Sequence, residues 1–173
     1  ARATARRLEV QAGSAFLAGM LHDLGKIVLD RFFREYYAPI ICRVKQQSVP
    51  IAVVEHDALG LTHADVGGHL AIEWKFSEKF QDSMLYHHDP RQKCRYHRLV
   101  CVVHLADAIC RKLEYGSGGD DAPPRIDRSA LERFAMGKQN LEALIDAAKV
   151  ELASADSFLS ALVSPPPVAT RGA

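Results

Sequence analysis

The sequence lacks the features that define several large classes of protein. No apolar run approaches the roughly 18 residues that a membrane-spanning helix needs. The four cysteines form no Cys-x-x-Cys pair and no zinc-finger spacing with histidine, so we expect reduced thiols in a cytoplasmic protein. The formal net charge is only +1, so we expect neither a nucleic acid nor an anionic membrane as a partner.

Strand signals are also nearly absent. No segment alternates apolar and polar residues, and the chain has no Asn-Gly or Asp-Gly pair to form a hairpin turn. Hydrophobic residues make up 48% of the 173 positions, and their spacing is that of helices. The sequence therefore predicts an all-α fold, a compact bundle of many helices around a core of its own.

The helix limits are predicted from apolar spacing, N-cap residues and helix breakers. Gly13 and Ser14 are expected to break the chain before a short buried helix, and Pro39 is expected to begin another. Gly60 ends one helix and Thr62 caps the next. The predicted helices cover about residues 1–11, 15–22, 27–37, 39–47, 51–59, 63–74, 77–86, 93–114, 128–136 and 138–163.

Composition along the chain predicts four parts. A helical core is expected over residues 1–115, followed by a flexible loop at 116–124 that is rich in Gly, Asp and Pro. A C-terminal helical extension is expected over residues 125–163. Residues 164–173 contain three consecutive prolines and read as a tail or linker.

Several polar residues stand in positions suited to metal binding. His22 and Asp23 are neighbours at the end of a short apolar helix, His63 begins a helix, and His87 and His88 end another. Imidazole and carboxylate ligands together suit iron, manganese, zinc or nickel better than calcium. The alternative is structural, because a single histidine at a helix start more often caps the helix or bonds within the core.

Two further residues extend this set. Asp107 lies in an apolar helical stretch, where a buried carboxylate needs a partner. That partner is a metal, Lys26 or a histidine. Lys26 follows His22 by one helical turn and is placed to contact a phosphate. His104 shares a helix face with Asp107 and fits either behind the ligands or on the surface.

The order of these motifs resembles the HD superfamily, and most closely its HDOD branch, the HD-related output domain of bacterial signalling proteins. The resemblance covers about residues 5–115 and rests on four motifs. These are AFLAGMLHDLGK at 15–26, THADVG at 62–67 with Trp74 after it, YHHDP at 86–90 and LAD at 105–107. HDOD proteins usually have a helical half upstream of these motifs, so we expect this chain to be the second half of such a domain.

The resemblance implies roles for particular residues. In catalytic HD enzymes the position of Lys26 contacts phosphate. The metal ligands would be His22, Asp23, His63, His87, His88 and Asp107. The related HD-GYP cyclic-di-GMP phosphodiesterases also carry a Gly-Tyr-Pro motif after the double histidine. Asp89, Pro90 and Arg91 stand in its place here.

Two functions follow from the resemblance. HDOD domains are mostly regarded as signalling or scaffold modules with degraded metal sites, which implies an output module in a bacterial signalling pathway. Such a module would act through a protein partner or through a small ligand such as a nucleotide or cyclic dinucleotide. The alternative is a metal-dependent phosphohydrolase or cyclic-dinucleotide phosphodiesterase, because the residues of the metal site are largely retained.

Overall fold

The computed structural model describes the backbone of residues 1–116, 118–120 and 122–163, and side chains as far as residue 157. All regular elements in these ranges are helices, which confirms the all-α prediction. The predicted Pro-rich tail lies outside the described residues. The elements are α1 (Arg2–Arg7), α2 (Ala12–Leu21), α3 (Leu24–Phe32), α4 (Arg34–Gln47), α5 (Ile51–Leu59), α6 (His63–Glu73), α7 (Glu78–Tyr86), α8 (His97–Lys112), α9 (Arg128–Glu132) and α10 (Lys138–Val163).

Helix α8 forms the centre of the bundle. Every residue from Leu99 to Ala106 is buried, as expected for a helix that is covered on all sides. Ala15 and Ala18 of α2 pack on one side of it, and Leu144 of α10 packs on another. Within the described ranges, no helix has both the length and the apolar character needed to cross a membrane.

Helices α3 and α6 approach each other at glycines. A Cβ atom added to Gly25 would lie 1.9 Å from the carbonyl oxygen of His63 and 2.9 Å from the amide nitrogen of Gly67. Only glycine leaves room for this backbone contact. The contact matters for the polar residues, because it places Asp23, which precedes α3, beside the first turn of α6.

The start of α6 is fixed by a capping box. The Thr62 hydroxyl accepts from the amide of Asp65 at 3.3 Å, and the Asp65 carboxylate accepts from the Thr62 amide at 2.7 Å. The two bonds satisfy helix-end donors that would otherwise lack partners. They also hold His63 at the first position of the helix.

We expect Thr62→Ala to lower the free energy of unfolding by about 1 kcal/mol, because the alanine cannot accept from the Asp65 amide. Urea denaturation measures the change. Thr62→Ser keeps an acceptor and serves as the matched control, with stability close to that of the wild type. Equal stability of the alanine and serine variants would contradict this role of Thr62.

Two of the predicted helix limits in the first 40 residues are wrong. Gly13 and Ser14 lie inside α2, and the chain turns earlier, where Glu9 has a φ of 54° and the Val10 amide bonds to the Ala5 carbonyl. Pro39 does not begin a helix but lies inside α4. A proline in that position costs an intrahelical hydrogen bond, and the burial of side chains on α4 offsets this cost.

Two predicted helices are shorter than expected. The helix predicted over 93–114 begins only at His97, because the Asp82 carboxylate accepts from the Tyr96 amide at 2.9 Å and holds the preceding turn. The helix predicted over 128–136 ends at Glu132. Ala135 adopts a left-handed φ of 47°, a backbone conformation through which a right-handed helix cannot continue.

The described part of the loop at 116–124 is attached to the core. Asp120 is buried, and its carboxylate accepts from the Ile51 amide at 2.9 Å at the start of α5. Its other oxygen pairs with Arg111 of α8, which also donates to the carbonyl of Ala122. The loop therefore crosses from α8 to α5 next to the polar residues described below.

Candidate metal centre

Four polar side chains meet where the starts of α3 and α6 approach the end of α7. Asp23 precedes α3, His63 is the first residue of α6, and His87 and His88 follow α7. Each offers one ligand atom, and these four atoms all lie within 4.8 Å of one another. We call this group the four-residue cluster.

The spacing inside the four-residue cluster fits a single ion. The Nε2 atom of His63 lies 3.3 Å from Oδ1 of Asp23 and 2.8 Å from Nε2 of His88, and His87 Nε2 lies 3.7 Å from the same Asp23 oxygen. Ligand atoms about 2.0–2.1 Å from one zinc ion stand about 3.0–3.5 Å apart. The short pairs are close to this spacing, and the widest pairs, which reach up to 4.8 Å, would draw closer around an ion of this size.

Two histidine rings are held with one nitrogen directed into the centre. Nδ1 of His22 donates to the Gly19 carbonyl at 2.8 Å, and Nδ1 of His87 donates to the Met84 carbonyl at 3.0 Å. Nε2 of each ring therefore carries a free lone pair. Within the described part of the chain, these two Nε2 atoms and Oδ1 of Asp23 are buried and have no hydrogen-bond partner. Such atoms are rare in folded proteins, and a cation between them would satisfy all three.

His63 is fixed by a buried carboxylate. Its Nδ1 lies 2.6 Å from Oε2 of Glu55, and its amide donates to the same oxygen at 2.9 Å. The hydroxyl of Tyr37 donates to the other Glu55 oxygen at 2.7 Å. Ligand histidines in metalloproteins usually donate their second ring nitrogen in this way, which fixes the ring orientation.

The charge states of Asp23 and His87 favour cation binding. Burial alone would raise the pKa of Asp23, but its close contact with His63 and the positive charge of Lys26 lower that pKa well below the ordinary range. Burial lowers the pKa of His87 well below the usual value for histidine. An ionised carboxylate and a neutral imidazole are the forms that bind a metal. At His63 the contacts with Asp23 and Glu55 outweigh burial and raise the pKa, so a cation there has to displace a proton.

The other predicted site residues lie at the edge of the four-residue cluster. Nε2 of His22 is 3.4 Å from Oδ2 of Asp23 and 3.9 Å from Oδ1 of Asp107. Lys26 donates to Asp23 at 2.8 Å and to the carbonyl of Gly118 at 2.8 Å. The fold thus brings all seven predicted residues to one place, with these three outside the tight group.

His104 lies behind the cluster. Its Nδ1 donates to the His87 carbonyl at 2.7 Å, and its Nε2 accepts from the Asp127 amide at 2.9 Å. Of its two expected positions, the structure therefore selects the one behind the ligands. The ring connects the end of α7 with the segment that precedes α9.

Sequence reasoning missed Glu55 and Tyr37. The signal for Glu55 was present, because a carboxylate that directly follows the buried Val54 in an apolar helix needs a partner. Its spacing from His63 gave no indication that the two side chains meet. Tyr37 carried no signal, because a tyrosine in an amphipathic helix is ordinary.

A cleft of about 350 Å³ opens beside one edge of the centre. His22, Asp23 and Asp107 are among the residues that line it. Arg2, Phe16 and further residues of α2 and α8 form its walls. A small molecule in this cleft would reach the edge of the four-residue cluster from the side on which Asp107 lies.

The fold and this cluster define a class of helical domain with a candidate metal centre. Comparison of the sequence with models of known families identifies the family. The HDOD domain family matches residues 1–90, and the chain belongs to that family. An uncharacterized protein of Treponema pallidum (strain Nichols) is 26% identical over 121 residues. The match covers 69% of this chain and 23% of that protein.

Two crystal structures share the fold. One is an HDOD domain protein with unknown function from Geobacter sulfurreducens, with a TM-score of 0.65 and 24% identity over 91% of this chain. The other, from Shewanella amazonensis SB2B, is named "putative phosphohydrolase" and has a TM-score of 0.64 with 21% identity over 86% of this chain. This chain spans 55% and 54% of those two chains. Identities this low show likeness of fold alone.

Proposed function

We propose that this HDOD domain binds a divalent transition metal and uses it to hydrolyse a phosphate ester. One observation carries the proposal: His22, His63 and His87 each bond through Nδ1 to an acceptor and direct Nε2 towards Asp23. The mixture of imidazole and carboxylate donors favours iron, manganese, zinc or nickel. His88 adds a fourth nitrogen, which lies 2.8 Å from Nε2 of His63.

Different residues of this chain would hold the ion and bind the phosphate. When bound, the ion would polarise a phosphate oxygen and make a water nucleophilic near neutral pH. The four-residue cluster and His22 would hold the ion and leave a coordination position open for water or a phosphate oxygen. Asp107, which lies on the side of the cleft 3.9 Å from Nε2 of His22, would face that position. Lys26 would donate to a phosphate oxygen in place of the Gly118 carbonyl and so neutralise part of the phosphate charge.

The size of the cleft bears on the substrate. Its volume of about 350 Å³ lies near the lower end of the range of about 300–1,000 Å³ typical of small-molecule sites. In place of a Gly-Tyr-Pro motif, Asp89 pairs with Arg91 at 2.7 Å. We therefore propose a small phosphate ester as the substrate and include cyclic dinucleotides among the compounds to be assayed.

The test is hydrolysis of a generic phosphomonoester and a generic phosphodiester by protein loaded with iron or manganese. We expect turnover that His22→Ala and Asp23→Ala abolish. His56→Ala replaces an exposed histidine of α5 and serves as the matched control, with unchanged turnover. An absence of hydrolysis after metal loading, or turnover that survives Asp23→Ala, would overturn the proposal.

Lys26→Ala should lower kcat/KM by about 10–100-fold, the effect of losing one hydrogen bond to a charged group. The metal content should stay at the wild-type level, because the ammonium group is not a ligand. Steady-state kinetics and elemental analysis measure the two quantities. A wild-type value of kcat/KM in Lys26→Ala would contradict the proposed contact between Lys26 and the phosphate.

A separate observation favours a second function, signal output through a protein partner. Large apolar side chains on α2, α3 and α4 are exposed, from 46% for Leu17 to 74% for Phe32, and Met20 and Ile27 are each 65% exposed. A protein partner that covers these side chains would bury apolar surface that is otherwise open to water.

The two functions predict different variants to be inactive in the host cell. If the output is a protein contact, Phe32→Glu should abolish the cellular response and Asp23→Ala should leave it intact. If the output is hydrolysis, Asp23→Ala should abolish the response. Loss with Asp23→Ala alone would contradict the second function.

A further inference from the structure

We infer that Glu55, held by Tyr37, is a positioning residue that fixes His63 to bind a metal through Nε2. The inference rests on the proposed metal binding and names a residue outside the ligand set that controls it. Glu55 lies on α5, and its carboxylate meets the His63 ring at Nδ1, the nitrogen on the other side of the ring from Nε2. It therefore acts on the metal through His63 and not by coordination.

One oxygen of Glu55 fixes both the ring and the backbone of His63. Oε2 is 2.6 Å from Nδ1 and accepts from the amide of the same residue at 2.9 Å. The amide is one of the first-turn donors of α6, which have no partner inside the helix. A single carboxylate oxygen thus sets the rotation of the ring relative to the helix that carries it.

Tyr37 fixes the carboxylate in turn. Its hydroxyl donates to Oε1 of Glu55 at 2.7 Å, so both carboxylate oxygens are bonded. Tyr37 is only 2% exposed and packs in the cluster of apolar side chains that joins α3, α4 and α5. The orientation of His63 is therefore connected to the hydrophobic core through two hydrogen bonds.

Packing alone gives no reason for a charge in this place. The side chains of Glu55 and His63 are both 0% exposed, and burying an ionisable pair is often no more stabilising than an apolar pair of the same size. A carboxylate bonded to a ligand histidine has a separate effect, because it fixes the tautomer and makes the second ring nitrogen more basic. A cation bound at Nε2 would be held more tightly by both effects.

The matched variants separate the two roles. Glu55→Gln keeps the size and one oxygen acceptor but removes the charge, and we expect it to lower metal affinity by about 10–100-fold. Tyr37→Phe removes one bond and should cause a smaller loss. Asp82→Asn is the control, because Asp82 is a buried carboxylate that accepts from the Tyr96 amide and contacts no histidine of the cluster.

Two measurements report on His63 without any assay of activity. Chelator competition with Co²⁺ gives the affinity, and the visible spectrum of bound Co²⁺ gives the ligand geometry. Nitrogen NMR of the metal-free protein gives the ring tautomer. We expect Nδ1 of His63 to be protonated in the wild type, and both tautomers to be populated in Glu55→Gln. A merely structural role would change stability and leave the Co²⁺ spectrum unaltered.

Each outcome decides the matter. If Glu55→Gln and Asp82→Asn bind Co²⁺ with equal affinity and the same spectrum, the inference is overturned and the proposed metal binding stands. If the wild type binds no Co²⁺, both are overturned. If Glu55→Gln fails to fold, Tyr37→Phe decides, and wild-type affinity with an unchanged His63 tautomer would overturn the inference.

Discussion

Gly25→Ala is expected to destabilise the domain by at least about 3 kcal/mol, at or beyond the usual upper end for overpacking. The added Cβ would lie 1.9 Å from the His63 carbonyl oxygen and 2.9 Å from the Gly67 amide nitrogen. Both are backbone atoms, so no change of rotamer relieves the overlap, and α3 must move away from α6. Asp23 and His63 would then separate, and metal affinity should fall together with stability.

The matched control is Gly13→Ala, in α2. Among the described residues, none has an atom within 4 Å of a Cβ added at Gly13. This variant should therefore be more stable than the wild type by up to about 1 kcal/mol through helix propensity. Urea denaturation gives both values. Similar stabilities for the two alanine variants would contradict the close contact between α3 and α6.

Asp23→Asn is expected to have the largest effect on metal binding, a loss exceeding the 10–100-fold typical of residues that only support ligands. The Asp23 carboxylate lies within 3.7 Å of three histidine Nε2 atoms, those of His22, His63 and His87. Asparagine keeps the size of the side chain but removes the negative charge at the centre of this group. Chelator competition with Co²⁺ measures the loss.

Asp107→Asn is the matched comparison for Asp23→Asn. The Asp107 carboxylate approaches these three histidines only at His22, where Oδ1 lies 3.9 Å from Nε2. We therefore expect a smaller loss of affinity than in the Asp23 variant. An equal or larger loss in Asp107→Asn would mean that the ion is centred on the side of the cleft and not within the four-residue cluster.

The sequence predicted the fold class well for a physical reason. Helical spacing of apolar residues is a local property, and it predicted the first and last residues of α5, α6 and α10 to within one or two positions. Some errors came from local backbone conformations, such as the left-handed Ala135, and one came from a distant contact. The Asp82 carboxylate holds the Tyr96 amide and delays the start of α8, and no local pattern reports such a bond.

The candidate site was predictable only in part. His63 and Asp23 were visible because a known order of motifs carries them. Glu55 was not, because its role depends on the packing of α5 beside the start of α6, which the spacing of two residues along a chain does not reveal. The sequence also could not show that Asp107 lies at the edge of the four-residue cluster and not within it, because this depends on distances in the folded chain.

Elemental analysis of protein purified without chelator and then loaded with iron, manganese or zinc tests the central claim most directly. The account predicts a single divalent ion bound per chain at a site of imidazole and carboxylate ligands, and its loss in Asp23→Asn. A wild-type protein that retains no divalent metal after loading, or an Asp23→Asn variant that retains as much as the wild type, would contradict it.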